Sequence, residues 1–509
     1  MLLETEIPPA VAPSRPSATT RLARPPLLAI VAVVIARTAL LLSVAGRYGW
    51  HRDELYYLAA GRHPAAGYVD FPPVTPMLSA VARGLFGPSL VGQRAMTIAA
   101  GAVVTVLAAL LARELGGRSW AQGVTALVVG FGPMLLGSNI LFQTVSFDQV
   151  AWAATFLVVV RMLRTRDPRW WPVLGAVAGI GFETKYTVVL LLAGVALGFV
   201  ATRAGRELLR GRGPWIAMGI AVVLAAPNLC WQLTHGWASV EFFRSQNADT
   251  RADNPPLIFL RDFVLLGNPL AFPLVVSGLV FLGRRPRWRP AAIASVFPVV
   301  GFLVLGGKGY YAAPAVLMLL PAGMVCVERV LTARRWAQVL VPVALLASIV
   351  PLLPVGIPVQ TEHTLVTHET YKVRDDYAEE LGWPELVDTV ERVYRELPDA
   401  QRSRTAIFTS NYGEAGAVDL YGPSRGLPHA ASAHLTYRYW GTPRPHATTL
   451  LVIGARRPWL DRHCTAWHDG GVIRNHDGVH NDEWGEHVDV CQLARSFGAE
   501  WSSIRNDAP

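Results

Sequence analysis

The pattern of apolar positions opens with a run over 27–46, about 20 residues and long enough to cross a bilayer. No small-residue cleavage site followed by a soluble stretch comes after it, so it predicts a retained first span. Further apolar runs fall at 89–112, 120–138, 147–163, 171–183, 186–202, 214–233, 262–283, 290–306, 311–328 and 336–354. They predict a polytopic α-helical membrane protein of about eleven spans. The runs 171–183 and 186–202 are read as two short helices, because a single crossing would put one of the flanking basic loops on the outer face. From about residue 355 the chain turns polar and predicts a soluble α/β domain, with a helix over 383–397 and buried strands at 405–409 and 448–453. The organisation expected is a disordered cytoplasmic segment 1–25, a transmembrane domain 26–354 and an extracytoplasmic domain 355–509.

Composition agrees with the pattern: 52% of residues are hydrophobic and 16% charged, and the mean hydropathy is +0.32, too apolar for an ordinary soluble protein. The net charge of +9 raises the question of nucleic acid, and the placement of the arginines answers it. Arg15, Arg21 and Arg24 precede the first span, and the loops 113–118, 161–169, 203–212, 284–289 and 329–335 are arginine-rich. Alternating crossings put all of them on the cytoplasmic side. The charge therefore sets orientation in an inner membrane, with the N-terminus inside and the C-terminus outside, and nucleic acid is excluded as a partner. Four cysteines without a CxxC pair exclude a disulfide-dense scaffold and a zinc ribbon. Cys464 and Cys491 lie in the outer domain, where a disulfide and two free thiols are equally open readings.

The external face carries the candidate chemistry. After the first span comes Gly49-Trp50-His51-Arg52-Asp53-Glu54-Leu55-Tyr56-Tyr57, and then Gly67-Tyr68-Val69-Asp70-Phe71-Pro72-Pro73. A carboxylate at Asp53 or Glu54 can deprotonate a weak nucleophile at the membrane surface. The same pair can equally cap the helix that starts near Leu55. Asp148, in Thr144-Val145-Ser146-Phe147-Asp148-Gln149, is the acid of the next external loop; as a residue by itself it reads as a helix cap. The chain has three lysines against 43 arginines, and two of them, Lys185 and Lys308, stand at external helix ends. That usage points to a compact ammonium being preferred there. Tyr56, Tyr57, Tyr310 and Tyr311 suit either a sugar pocket or the interfacial aromatic belt. The segment 235–261 is polar enough for a lid or a plain loop, with Glu241, Gln246, Asp249 and Asp253.

An acidic pair, an aromatic-rich short helix and Tyr-x-Asp-x-Pro-Pro in the first loop resemble the membrane glycosyltransferases of the protein mannosyltransferase and aminoarabinose transferase superfamily. The resemblance implies the C-type glycosyltransferase fold and donors that are sugars on a polyprenyl phosphate. It implies Asp53 as catalytic base with Glu54 as its acidic partner. Asp148 would position the acceptor or bind metal, Lys185 and Lys308 would hold the donor phosphate, and Arg52, Tyr56, Tyr57, Asp70, Tyr310 and Tyr311 would line the substrate. A divalent ion is an open question, with His51, Asp53, Glu54 and Asp148 as the available ligands. The reaction implied is inverting transfer to a hydroxyl of a cell-envelope glycan, lipid or protein. The rival reading is a secondary transporter, which would carry its ionisable groups in broken helices near the midplane. Apart from Arg37 and Arg94, they gather here at helix ends.

Overall fold

The computed structural model describes residues 22–266 and 268–507. Most of the predicted disordered segment, residues 1–21, lies outside the described residues. All eleven apolar runs are helical. Six helices among the described residues are long and apolar enough to cross a membrane: Leu27–Val44, Leu90–Glu114, Thr144–Thr165, Gly213–Thr234, Gly309–Leu331 and Arg335–Gly356. Two bent pairs raise the number to eight, Ser119–Gly130 with Pro133–Ile140 at 51° and Pro256–Leu265 with Pro269–Gly283 at 88°. A proline sits at each break, where the missing N–H interrupts the helical ladder.

The other three runs form the helices Trp170–Phe182, Val188–Ala201 and Arg289–Leu305, of 13, 14 and 17 residues. Thirteen residues rise only about 20 Å, against a hydrocarbon core of about 30 Å, so a crossing made by such a short helix requires the bilayer to thin around it. Hydropathy passed over the helix Val74–Phe86. Its exposed Met77, Val81 and Leu85 form an i, i+4, i+8 stripe, opposite buried Thr75, Ser79 and Ala82. The segment 235–261 is not a loop but two helices, Ala238–Asp253 and Pro256–Leu266; the Asp249 and Asp253 side chains lie outside the described residues.

Small residues let the membrane helices approach closely. Gly278 meets the Leu319 carbonyl and Gly323 meets that of Leu274 with no room for a Cβ, which seats Phe272–Gly283 against Val316–Leu331. Arg37, 1% exposed within the first span, donates to Asn139 Oδ1 at 2.8 Å, the Ile98 carbonyl at 3.0 Å and the Gly130 carbonyl at 3.1 Å. The last of these stands at the bend before Pro133, where the ladder leaves a carbonyl without a helical partner.

The polar tail carries a five-stranded sheet in the order β2-β1-β3-β5-β4. The strands are β1 Thr405–Thr409, β2 Ala430–Ser432, β3 Thr449–Ile453, β4 Cys464–Val472 and β5 His487–Leu493. β1 pairs parallel with β2 and β3, and β5 runs antiparallel to β3 and β4. Both predicted strands are present, and the predicted helix spans Trp383–Glu396, burying Trp383, Leu386, Val387, Val390 and Val393 at helical spacing. Cys464 and Cys491 are joined in a disulfide that ties β4 to β5, with Cα atoms 5.5 Å apart. The tail packs on the first loop: Leu55, Tyr56, Tyr57 and Phe71 share one apolar cluster with Trp383, Val418, Tyr437 and Leu451.

Candidate functional site

The first loop folds into the helix Arg52–Ala60, and its start explains why two adjacent acids part company. His51 Nδ1 accepts from the Asp53 backbone N–H at 3.1 Å, while Glu54 Oε2 accepts from the His51 N–H at 2.9 Å, closing a reciprocal cap. Successive helical residues point about 100° apart, so Glu54 turns inward and Asp53 does not. Glu54 is 1% exposed. It accepts from Arg94 Nη2 at 2.8 Å, from Arg94 Nε at 2.9 Å and from the Phe142 N–H at 2.8 Å. Arg94 in turn reaches Glu380 of the tail at 3.0 Å and the carbonyls of Ala45 and Gly49 at 3.0 Å. One guanidinium thus binds the end of the first span, the first loop and the tail.

Asp53, half-buried, faces the other way. Its Oδ1 accepts from the Tyr412 hydroxyl at 2.7 Å. Arg52 anchors the same helix to the tail through Asp482 at 2.7 Å and Glu379 at 3.4 Å. Tyr56 donates to Asp70 Oδ1 at 3.0 Å and accepts from the Thr436 N–H at 2.9 Å. Tyr57 packs on Phe71 and Phe142 with ring centroids 4.9 and 5.9 Å away. Both tyrosines are buried where the loop meets the tail, so neither faces an open pocket or the aromatic belt.

Asp148 lies one turn into Thr144–Thr165, and no side chain caps that helix. Its carboxylate accepts instead from Thr187 Oγ1 at 2.8 Å and Trp152 Nε1 at 3.1 Å, with Lys185 as its electrostatic neighbour. The Lys185 ammonium stands 5.3 Å from the centre of the Tyr311 ring, and that ring is 4.6 Å from Tyr310. Lys308, next to these tyrosines in sequence, faces Asp376 of the tail, while Tyr310 is within electrostatic reach of Asp53. The folding therefore brings the first loop, the Lys185 turn and the Lys308 turn together. Among the described residues neither lysine forms a salt bridge.

Residues 70–231 match the family described as dolichyl-phosphate-mannose-protein mannosyltransferase, a stretch that includes Asp70, Asp148 and Lys185. The whole chain resembles ArnT from Cupriavidus metallidurans bound to undecaprenyl phosphate, with a TM-score of 0.57 at 14% identity over 92% of this chain and 98% of that one. The apo form of the same protein gives 0.58 at 14% identity, covering 91% and 97%. The chain shares the ArnT fold, and the family match covers 70–231 of its 509 residues. A comparison with curated proteins returns no match.

In this fold the four candidate metal ligands His51, Asp53, Glu54 and Asp148 do not form one close group. Glu54 is engaged by Arg94, and Asp148 by Thr187 and Trp152. Among the described residues the grouping close enough to share one ion is Glu362, His476 and Asp477, at the exposed edge of the tail. Three polar residues at the centre had no sequence signal as a set: Arg94, Glu380 and Tyr412 lie in different parts of the chain. Tyr412 had a usable local one, a buried strand followed by an Asn-x-x-Glu helix start.

The protein buries several carboxyls where its tail meets the first loop. Burial pushes Asp70 up to about 7 against the hydrogen bond from Tyr56, and Glu380 up to about 7 against the attraction of Arg94. Burial likewise raises Glu379 to about 8, with Arg52 pulling it down. These groups hold protons in the folded state that the unfolded chain has already released, so stability is full below about pH 4 and is lost as pH rises through 7 to 8. The melting temperature of the detergent-solubilised protein, followed by protease resistance of the tail, should fall from pH 5 to pH 8. A flat or rising profile would contradict this assignment.

Proposed function

We propose that the chain transfers a sugar from a polyprenyl phosphate to a hydroxyl of a cell-envelope acceptor on the extracytoplasmic face, by inverting displacement. The observation that carries the reading is the approach of three segments: Lys185 stands 5.3 Å from the Tyr311 ring, and Tyr310, two residues after Lys308, lies within electrostatic reach of Asp53. Asp53 accepts the acceptor's proton as its oxygen attacks the anomeric carbon; the bond from that carbon to the phosphate oxygen breaks, and polyprenyl phosphate departs. Lys185 and Lys308 stabilise the charge that grows on the leaving phosphate. Asp148, held by Thr187, orients the Lys185 ammonium, and Tyr311 supplies a ring face beside it. Glu54 acts as a positioning residue, since Arg94 takes up its carboxylate. Undecaprenyl phosphate bound to ArnT, which shares the fold, supports a polyprenyl-phosphate donor, and the arginine-rich loops support a cytoplasmic N-terminus with the tail outside.

The test is a screen of polyprenyl-phosphate sugars with purified protein in proteoliposomes containing envelope lipids, reading release of polyprenyl phosphate. Turnover of one donor is expected, and carriage of a solute across the vesicle wall without any donor turnover would favour a transporter. For Lys185→Arg, half-saturation by the donor should require about tenfold more lipid, equivalent to ~1.4 kcal/mol of binding, because the planar fork does not reproduce a compact ammonium. An unchanged donor saturation curve would remove Lys185 from the phosphate site.

A further inference from the structure

The tail meets Asp53 with a particular edge of its sheet. β1 is flanked by β2 on one side and β3 on the other, so the winding of the parallel part reverses at β1. In sheets of this kind ligands bind beyond the carboxyl ends of the strands, at the reversal. The residues at that point are Ser410, Asn411 and the first turn of the helix Tyr412–Tyr421. Asn411 Oδ1 accepts from the N–H groups of Gly413 and Glu414 at 2.8 and 3.0 Å, and Glu414 Oε2 accepts from the Asn411 N–H at 3.1 Å. This double cap fixes the turn that aims Tyr412.

The close approach is built into the sequence. A Cβ at Gly413 would lie 3.0 Å from Arg52 Cβ, and one at Gly416 would lie 2.8 Å from Leu55 Cβ. Bare backbone at these two positions lets the Tyr412 helix rest directly on the helix that carries Asp53. The Tyr412 ring is held between neighbours, with Tyr56 at 4.7 Å, His434 at 5.2 Å and the Arg52 guanidinium at 5.9 Å. Its hydroxyl donates to Asp53 Oδ1 at 2.7 Å.

We propose that Tyr412, carried by the tail, is a positioning residue of the transfer reaction: its hydroxyl holds one carboxylate oxygen of Asp53 so that the other is turned to the acceptor hydroxyl. The inference rests on Asp53 being the base. The tail then completes the catalytic centre of the membrane domain, as the orienting third group does wherever a base must keep one geometry.

The experiment compares full-length wild type, Tyr412→Phe, Asp53→Asn and the double variant in membrane vesicles at equal protein levels. It reads transfer of label from an undecaprenyl-phosphate sugar into endogenous envelope material. Tyr412→Phe keeps the ring stack and should lower kcat about tenfold, with half-saturation by the donor unchanged. The double variant should fall no further than Asp53→Asn alone, because two groups acting as a unit do not lose their effects independently. A wild-type rate for Tyr412→Phe, or losses that multiply in the double variant, would overturn the proposal. Should the Phe variant melt early, Tyr412→His decides, since it restores an N–H donor: recovered transfer supports positioning, and no recovery overturns it. Full activity of Asp53→Asn would remove the base reading itself, whereas an inactive Asp53→Asn beside a fully active Tyr412→Phe removes this inference alone.

Discussion

Asp53→Asn should reduce sugar transfer by roughly 10²- to 10⁴-fold, the usual worth of a general base, without disturbing the fold. The amide is isosteric, and its oxygen still accepts the hydrogen bond from Tyr412, so the loop keeps its contact with the tail. What it cannot do is receive the acceptor's proton. The measurement is incorporation of labelled sugar from a polyprenyl phosphate into envelope material, with melting temperature as the control. A wild-type rate at equal protein levels would take the base assignment away from Asp53. The neighbouring substitution Glu54→Gln should behave in the opposite sense, weakening stability through the Arg94 contact more than it weakens chemistry.

The second large effect belongs to Arg94→Met. The guanidinium is wholly buried between Glu54 and Glu380, and removing it leaves two carboxyls facing each other out of water. Loss of one partner from a buried ion pair costs about 3–5 kcal/mol, because the remaining charge has no compensation. Here the loss falls where span, loop and tail join, so the tail should become open to protease before the membrane helices do. The triple variant Arg94→Met, Glu54→Gln, Glu380→Gln should recover part of the stability, since neutral groups there no longer need a cation. Equal melting temperatures for wild type and Arg94→Met would show that the network contributes little.

Much of the architecture was legible because the bilayer and the pleat impose simple periods. Long apolar runs marked the helices, and the short stretches at β1 and β3 marked the parallel core of the tail sheet. Amphipathicity was the weak point: the apolar side chains Met77, Val81 and Leu85 of Val74–Phe86 form one stripe opposite small and polar residues, so no apolar run marks that helix. Within the site, the first loop, the second acid and the rare lysines stood out by residue type. Their division of labour did not. Asp53 and Glu54 differ only in which way one helical turn points them, and that is decided by Arg94, forty residues away in the chain. Tyr56 suited a sugar pocket or the aromatic belt equally in sequence because the surface that buries it comes from the tail, more than 300 residues later in the chain.

The two short helices around Lys185, of 13 and 14 residues, bear on the lipid as well as on the protein. Where a hydrophobic segment is shorter than the hydrocarbon layer, the leaflets thin to meet it, at fractions of a kcal/mol per Å. A local dimple would therefore form beside the turn that carries Lys185, lowering the headgroup plane there. A long prenyl chain arriving sideways through the leaflet would find its phosphate already at the depth of the ammonium, so the membrane itself would do part of the docking.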